Sequence, residues 1–232
     1  MLIVEAKPNS IEAEAYRTLR TNIQYSSIDK EIKSIVVTSV NPNEGKSTIV
    51  GNLGLSFSQN EKKVIVIDCD LKKPSMHTKF GVSNLIGLSD VLIGNKTLEN
   101  AIQKYNSNFH ILTSGKIPPN SAEMINSVAM NNLLEGIKMK YDVMIIDSPP
   151  LGAFTDGQIL AAKSDGVILV VEEGKTKIEA VKEGKNLLNK VGASIIGIVI
   201  NKMSSDKKKD YYYYETNETK NITKSETWQK KI

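Results

Sequence analysis

The chain has 232 residues, 40% of them apolar, which suits one α/β domain with a tail and leaves two full domains cramped. Its net charge of +4 is mild and owed in part to lysines near the C-terminus, which argues against a nucleic-acid partner. A single cysteine, Cys69, excludes a disulfide framework and CxxC metal or iron–sulfur sites, and no apolar run approaches the roughly 20 residues of a membrane span.

Residues 10–26 carry a helical pattern with Glu14, Arg17 and Arg20 at three-residue spacing, which keeps the three charges near one face. On sequence alone that face reads as solvated. The first strand is Ile35-Val36-Val37, and it runs through Val40-Asn41-Pro42 into Asn43-Glu44-Gly45-Lys46-Ser47-Thr48 at the head of a helix over 46–59. Successive backbone N–H groups at such a helix start wrap phosphate oxygens. Lys46 is expected to reach the β- and γ-phosphates of a nucleoside triphosphate, and the Ser47 hydroxyl to ligate Mg²⁺. The strict G-x-x-x-x-G-K-[ST] pattern fails only at its first position, Val40.

The second strand, Val64 to Ile67, ends in Asp68-Cys69-Asp70. A weaker one surrounds Phe109 to Leu112, and a helix over 121–140 follows Pro118-Pro119, with Asn120 as its N-cap and Glu123 three residues on. Val143 to Ile146 forms another strand and ends in Asp147. Helix patterns over 154–163 and 175–191 flank the strand Val167 to Val171, and Ile195 to Ile200 is the last strand, followed by Asn201-Lys202. The runs are β-branched and continuous, as strands covered on both faces are. Their order with the helices predicts a doubly wound, mostly parallel α/β sheet with helices on both faces. Parallel strands deliver Asp68, Asp70 and Asp147 to the edge where the phosphate loop lies, a set of carboxylates suited to a metal ion. Residues 204–232 have little to bury and read as a flexible tail behind a domain of residues 1–203. Half of the eight tyrosines stand together there, Tyr211, Tyr212, Tyr213 and Tyr214, as acceptors for a phosphoryl group.

These segments resemble the Walker A, A′ and B motifs of the bacterial tyrosine kinases that accompany capsule and exopolysaccharide synthesis, and the likeness covers nearly the whole chain. Asp68-x-Asp70 is similar to the A′ motif and Asp147-x-Pro149-Pro150 to the B motif; Thr155-Asp156 and Leu112 to Gly115 also look familial. Two departures stand out, Asn43 where the family has Gly and Lys72 where it has Arg.

The resemblance implies a P-loop enzyme that uses ATP and Mg²⁺ to phosphorylate tyrosines, its own tail cluster in trans included. It implies Asp68 as general base, Asp70 and Asp147 as Mg²⁺ holders beside Ser47, and Asn201 as a reader of the adenine edge; capping of the strand end is the competing role for Asn201. Glu14-x-x-Arg17-x-x-Arg20 looks like the motif that joins subunits into a ring. A separate transmembrane protein with a cytoplasmic activating segment would hold the kinase, itself cytoplasmic, at the inner face of the membrane. The rival reading is an ATP-switched scaffold of the cell-division and plasmid-partition kind, without kinase activity. Those proteins carry an extra lysine near the loop's start, where this chain has Asn41.

Overall fold

The computed structural model describes residues 2–27 and 31–203. The expected tail over 204–232 lies outside the described residues, and with it all four expected phosphoryl acceptors, Tyr211, Tyr212, Tyr213 and Tyr214. The chain opens with two helices, α1 (Ile3–Ala6) and α2 (Ile11–Gln24). A βα unit follows, β1 (Ser34–Ser39) and α3 (Lys46–Ser58), and then β2 (Val64–Asp68). Three short helices come next, α4 (Met76–Phe80), α5 (Leu88–Leu92) and α6 (Leu98–Ala101), then β3 (Gln103–Lys104) and β4 (Phe109–Leu112). The rest is α7 (Ser121–Asn126), α8 (Val128–Lys140), β5 (Val143–Asp147), α9 (Asp156–Ala162), β6 (Gly166–Glu172), α10 (Ile178–Lys190) and β7 (Ile195–Asn201).

The seven strands form one sheet in the order β3-β4-β2-β5-β1-β6-β7, with every neighbouring pair parallel except β3 with β4. Alternation along each strand explains why the apolar runs are continuous. Ile35, Val37, Val64, Val66, Ile145, Ile168 and Val170 face a core closed by Leu53 and Phe57 of α3, Ile23 of α2 and Met76 of α4. Val36, Ile65, Ile67, Met144, Ile146 and Leu169 face the other way, onto Leu134 and Ile137 of α8, Leu160 of α9 and Leu188 of α10. The sheet is doubly wound as expected.

Two local expectations differ from the fold. The helix over 121–140 is two helices, because Ser127 adopts an extended ψ of 160° and caps α8, its hydroxyl accepting from the Met130 N–H at 3.1 Å. Asn120 stands at the N-cap position of α7 but makes no side-chain cap bond. The buried Ser121 hydroxyl instead donates to Asp156 at 2.9 Å, tying α7 to the start of α9.

Candidate active site

β1 ends at Ser39, and Val40 to Gly45 carry the chain over to Lys46, the first residue of α3. Asn43 takes a left-handed backbone at φ +63° and Gly45 one at φ +99°. Asparagine is among the few side chains that tolerate this region, so Asn43 can occupy a position suited to glycine. Gly45 has a second reason to lack a side chain: a Cβ there would lie 2.0 Å from Asn201 Nδ2.

The loop is gripped from the β6–β7 side. Asn201 Nδ2 donates to the Glu44 carbonyl at 2.9 Å and Lys202 Nζ to the Asn43 carbonyl at 2.8 Å. The buried Glu44 carboxylate accepts from the Asn41 N–H at 3.1 Å, from the Asn41 amide at 3.0 Å and from the Thr176 hydroxyl. In a trans peptide C=O and N–H point opposite ways. Turning the carbonyls of Asn43 and Glu44 toward β7 therefore turns the N–H groups of Glu44 and Gly45 away from it. Together with the first N–H groups of α3, which have no intrahelical acceptor, they make a concave set of donors at the positive end of a helix. Lys46 is buried, with its charge felt at Asp70 and Asp147, and the Thr48 hydroxyl accepts from Lys79 at 3.0 Å.

Asp68 and Asp147 are register partners across β2 and β5, and Asp147 also stands opposite Val37 of β1. Both are fully buried, yet their surroundings differ. Asp68 accepts three backbone N–H groups, from Asp70 at 3.2 Å, Ser75 at 2.9 Å and Met76 at 2.9 Å, and so shapes the turn into α4. Burial nevertheless pushes its pKa up to about 6 against those donors, with the charge of Asp70 adding to the rise.

Neither oxygen of Asp147 has a hydrogen-bond partner, although the Ser47 hydroxyl is near enough to favour its charged form. Burial first, and the Asp68 charge second, push the Asp147 carboxyl well above the usual carboxylate range. Asp70 is raised by burial while the Lys73 N–H, donating at 2.9 Å, and Lys46 pull it down. Cys69, between the acids, is a packed thiol pushed up by burial and then by the carboxylates. Among the described residues no three acidic, histidine or cysteine side chains converge closely enough to hold a metal alone.

The structure thus brings the loop 43–48, Asp68, Asp70, Asp147 and Asn201 to one edge of the sheet. It adds residues that sequence reasoning gave no role. Asp156 is buried and its charge is felt at Asp70 and Cys69; Lys202 and Thr176 hold the loop. Lys72 Nζ, two residues beyond Asp70, lies 5.4 Å from the centre of the Phe154 ring. A cavity of about 510 Å³ opens between α2 and the end of β7, walled by Tyr16, Leu19, Ile49, Val199 and Ile200, with Asn201 also in its lining.

Glu14, Arg17 and Arg20 share α2 but not their surroundings. Arg17 Nε pairs with Glu14 at 2.6 Å and its Nη2 donates to the Pro8 carbonyl at 2.9 Å. Arg20 Nη1 instead reaches the Ser56 carbonyl in the last turn of α3 at 2.7 Å.

The AAA domain family AAA_31 matches residues 32–197. The tyrosine-protein kinase YwqD of Bacillus subtilis is 41% identical over 93% of this chain and 91% of its own length. The putative tyrosine-protein kinase CapB of Staphylococcus aureus is 36% identical over 92% of this chain and 94% of its own. Among solved structures, the chimerical protein CapA2B2 superposes with a TM-score of 0.84 at 37% identity, over 88% of this chain and 90% of that one. Relatives that are named tyrosine kinases and align over more than nine-tenths of both chains decide against a scaffold without kinase activity. With a nucleotide-binding fold and those relatives, the chain is an enzyme, and it belongs to the bacterial tyrosine kinases whose motifs its sequence carries.

Proposed function

We propose that a kinase domain of residues 1–203 transfers the γ-phosphoryl group of Mg·ATP to tyrosines of the tail over 204–232 on a neighbouring subunit of a ring. The acceptors in this reading are Tyr211, Tyr212, Tyr213 and Tyr214. Through this modification the protein regulates capsule or exopolysaccharide synthesis. The observation that carries the reading is Asp147: a fully buried carboxylate without a hydrogen-bond partner, at the edge where the phosphate loop opens. A buried anion left so is costly unless a cation or donor meets it.

The donor set is hard oxygen throughout, from Ser47, Asp70 and Asp147, which fits Mg²⁺, and such ions take their remaining positions from phosphate and water. When bound, the ion supplies positive charge to the transferring phosphoryl group. Lys46 offsets charge on the same group, and the N–H groups of 44–47 hold the phosphates.

Asp68 is the base. A carboxylate offers about four acceptor positions, so three backbone donors leave roughly one for a phenol proton. A pKa pushed up to about 6 suits that transfer near neutral pH. The tyrosine oxygen forms its bond to phosphorus as the bond to ADP breaks, and the phenolic proton passes to Asp68. Asn201 and the apolar cavity beside it give the adenine a polar edge and a face to lie on.

Glu14, Arg17 and Arg20 join the subunits of the ring in this reading. Among the described residues no helix is long and apolar enough to cross a membrane. We assign the peripheral location at the inner face of the membrane to a separate transmembrane activator, whose cytoplasmic segment completes the site.

A mixing experiment tests the transfer. Lys46→Met protein with an intact tail is combined with active protein whose Tyr211, Tyr212, Tyr213 and Tyr214 are all Phe, in labelled ATP and Mg²⁺. Label on the Lys46→Met partner is expected; its absence, with wild type still self-labelling, rejects transfer between subunits.

A further inference from the structure

We propose that Lys202 is a positioning residue of the nucleotide site, its ammonium holding the Asn43–Glu44 peptide so that the Glu44 N–H faces the phosphates. The proposal rests on the reading that loop 43–48 binds the nucleotide.

Three non-glycine residues among those described have positive φ: Asn43 at +63°, Glu61 at +60° and Lys202 at +59°. Two of the three are the partners in one contact, Lys202 Nζ to the Asn43 carbonyl at 2.8 Å. Lysine is uncommon in this region, since its Cβ crowds the backbone there. Such a conformation persists where surrounding bonds fix it, and here they do. Asn201, the residue before, is locked in the ladder opposite Glu172, and its carbonyl accepts from the Glu173 N–H at 3.0 Å. Lys202 Nζ also pairs with Glu172 Oε2 at 2.9 Å, which aims the ammonium at the loop.

Consecutive residues at the end of β7 thus hold consecutive carbonyls of the loop, Asn201 that of Glu44 and Lys202 that of Asn43. Without Lys202 the Asn43–Glu44 peptide loses the donor that fixes its plane. It can then rotate through linked changes in ψ of Asn43 and φ of Glu44, which would withdraw one N–H from the phosphates. An ordinary surface pair would leave nucleotide affinity unmoved. A brace on the loop moves affinity while leaving the fold alone.

The full chain is compared as wild type, Lys202→Met, Lys202→Arg and Lys46→Met, by titration with a fluorescent ATP analogue and Mg²⁺, nucleotide-free melting, and kinetics on a tyrosine peptide. Loss of one partly exposed charge-assisted bond should weaken analogue binding about fivefold in Lys202→Met, with KM for ATP rising in parallel. KM for the peptide and the nucleotide-free melting temperature should stay at wild-type values. Lys202→Arg, which keeps a cationic donor, should recover most of the affinity. Wild-type binding by Lys202→Met, with binding lost in Lys46→Met, overturns the role of Lys202 alone. An affinity loss that comes with a lower melting temperature and no recovery by arginine overturns it as well, in favour of plain structural support. Wild-type binding by Lys46→Met refutes the loop as nucleotide site, and the proposal with it.

Discussion

In an Asp147→Asn variant the last residue of β5 becomes a neutral amide of the same shape, at a place where the wild-type oxygens have no hydrogen-bond partner and only the Ser47 hydroxyl lies near. Its register partner is Asp68, on the adjacent strand. Neighbouring strands lie about 4.8 Å apart, and two unit charges at that distance repel by roughly 3 kcal/mol at an effective dielectric of about 20. Uptake of a proton by the wild-type pair relieves part of this, since burial holds both carboxyls above their ordinary range. The amide also brings an N–H that can donate to Asp68.

A net gain of about 1–2 kcal/mol is therefore expected for the metal-free, nucleotide-free protein, or about 2–8 °C in melting temperature for a domain of this size. The same substitution removes a negative charge that the bound cation needs. Affinity for Mg·ATP should fall at least tenfold, on the order of what loss of a metal-site group costs. Calorimetric scans in chelator, and again with ATP and Mg²⁺, read both effects on one sample. A variant that melts below wild type in chelator refutes the argument about the buried charge. A variant stabilised by Mg·ATP as much as wild type refutes the assignment of Asp147 to the site.

Gly45→Ala should weaken ATP binding by about tenfold, because a left-handed backbone disfavours a side chain by roughly 1–2 kcal/mol and the new Cβ displaces the Asn201 amide from Glu44. In an Asn201→Ala background the further loss should be smaller than in wild type, and full additivity in titrations would show that the two residues do not meet. His110, buried with its Nδ1 2.6 Å from the Tyr141 hydroxyl, has its pKa lowered by burial and then by Lys63 and Lys104. The folded protein thus binds this proton less readily than the unfolded chain. The stability it confers is full above the unfolded value of about 6.5 and falls as pH drops below it. Urea melts of His110→Gln at pH 7.5 and 5.5 should show a shallower drop than wild type, and an equal drop would sink the idea.

The parts of the site that were legible in the sequence are those that a single segment carries. Asp68 and Asp147 end apolar strands and Lys46 and Ser47 open the helix that follows another, and parallel strands send such ends to one edge whatever their order in the sheet. The pattern was blind to the groups that hold the loop. Glu44 finds its hydroxyl partner in Thr176, and Asn43 its ammonium in Lys202, each from a distant segment. Those meetings depend on β6 lying beside β1, and on a register shift between β6 and β7 at Val167 and Ile168. No local periodicity encodes either. Short elements escaped for a related reason: β3 has two residues and α4 five, too few to show a period.

Helix α2 shows the same limit within one motif. Glu14, Arg17 and Arg20 look equivalent in spacing, and a surface rule treats them as one charged stripe. In the fold Glu14 and Arg17 satisfy each other in an exposed i,i+3 pair, a contact that exposed geometry makes weak and exchangeable. In the proposed ring a neighbouring subunit would take over that pair at little cost. Arg20 is different, for it is spent on the Ser56 carbonyl at the end of α3, the helix that begins with Lys46. Burial lowers its pKa, and its Nε is enclosed without a partner. Replacing all three by alanine would therefore mix two effects, loss of a contact between chains and loosening of α2 from α3 within one. Charge reversal at Glu14 and Arg17 together keeps the internal pair and leaves Arg20 in place. Within the single chain it costs the Arg17 bond to the Pro8 carbonyl while the hold of α2 on α3 stays, and so tests the proposed assembly with less disturbance of the fold than three alanines cause.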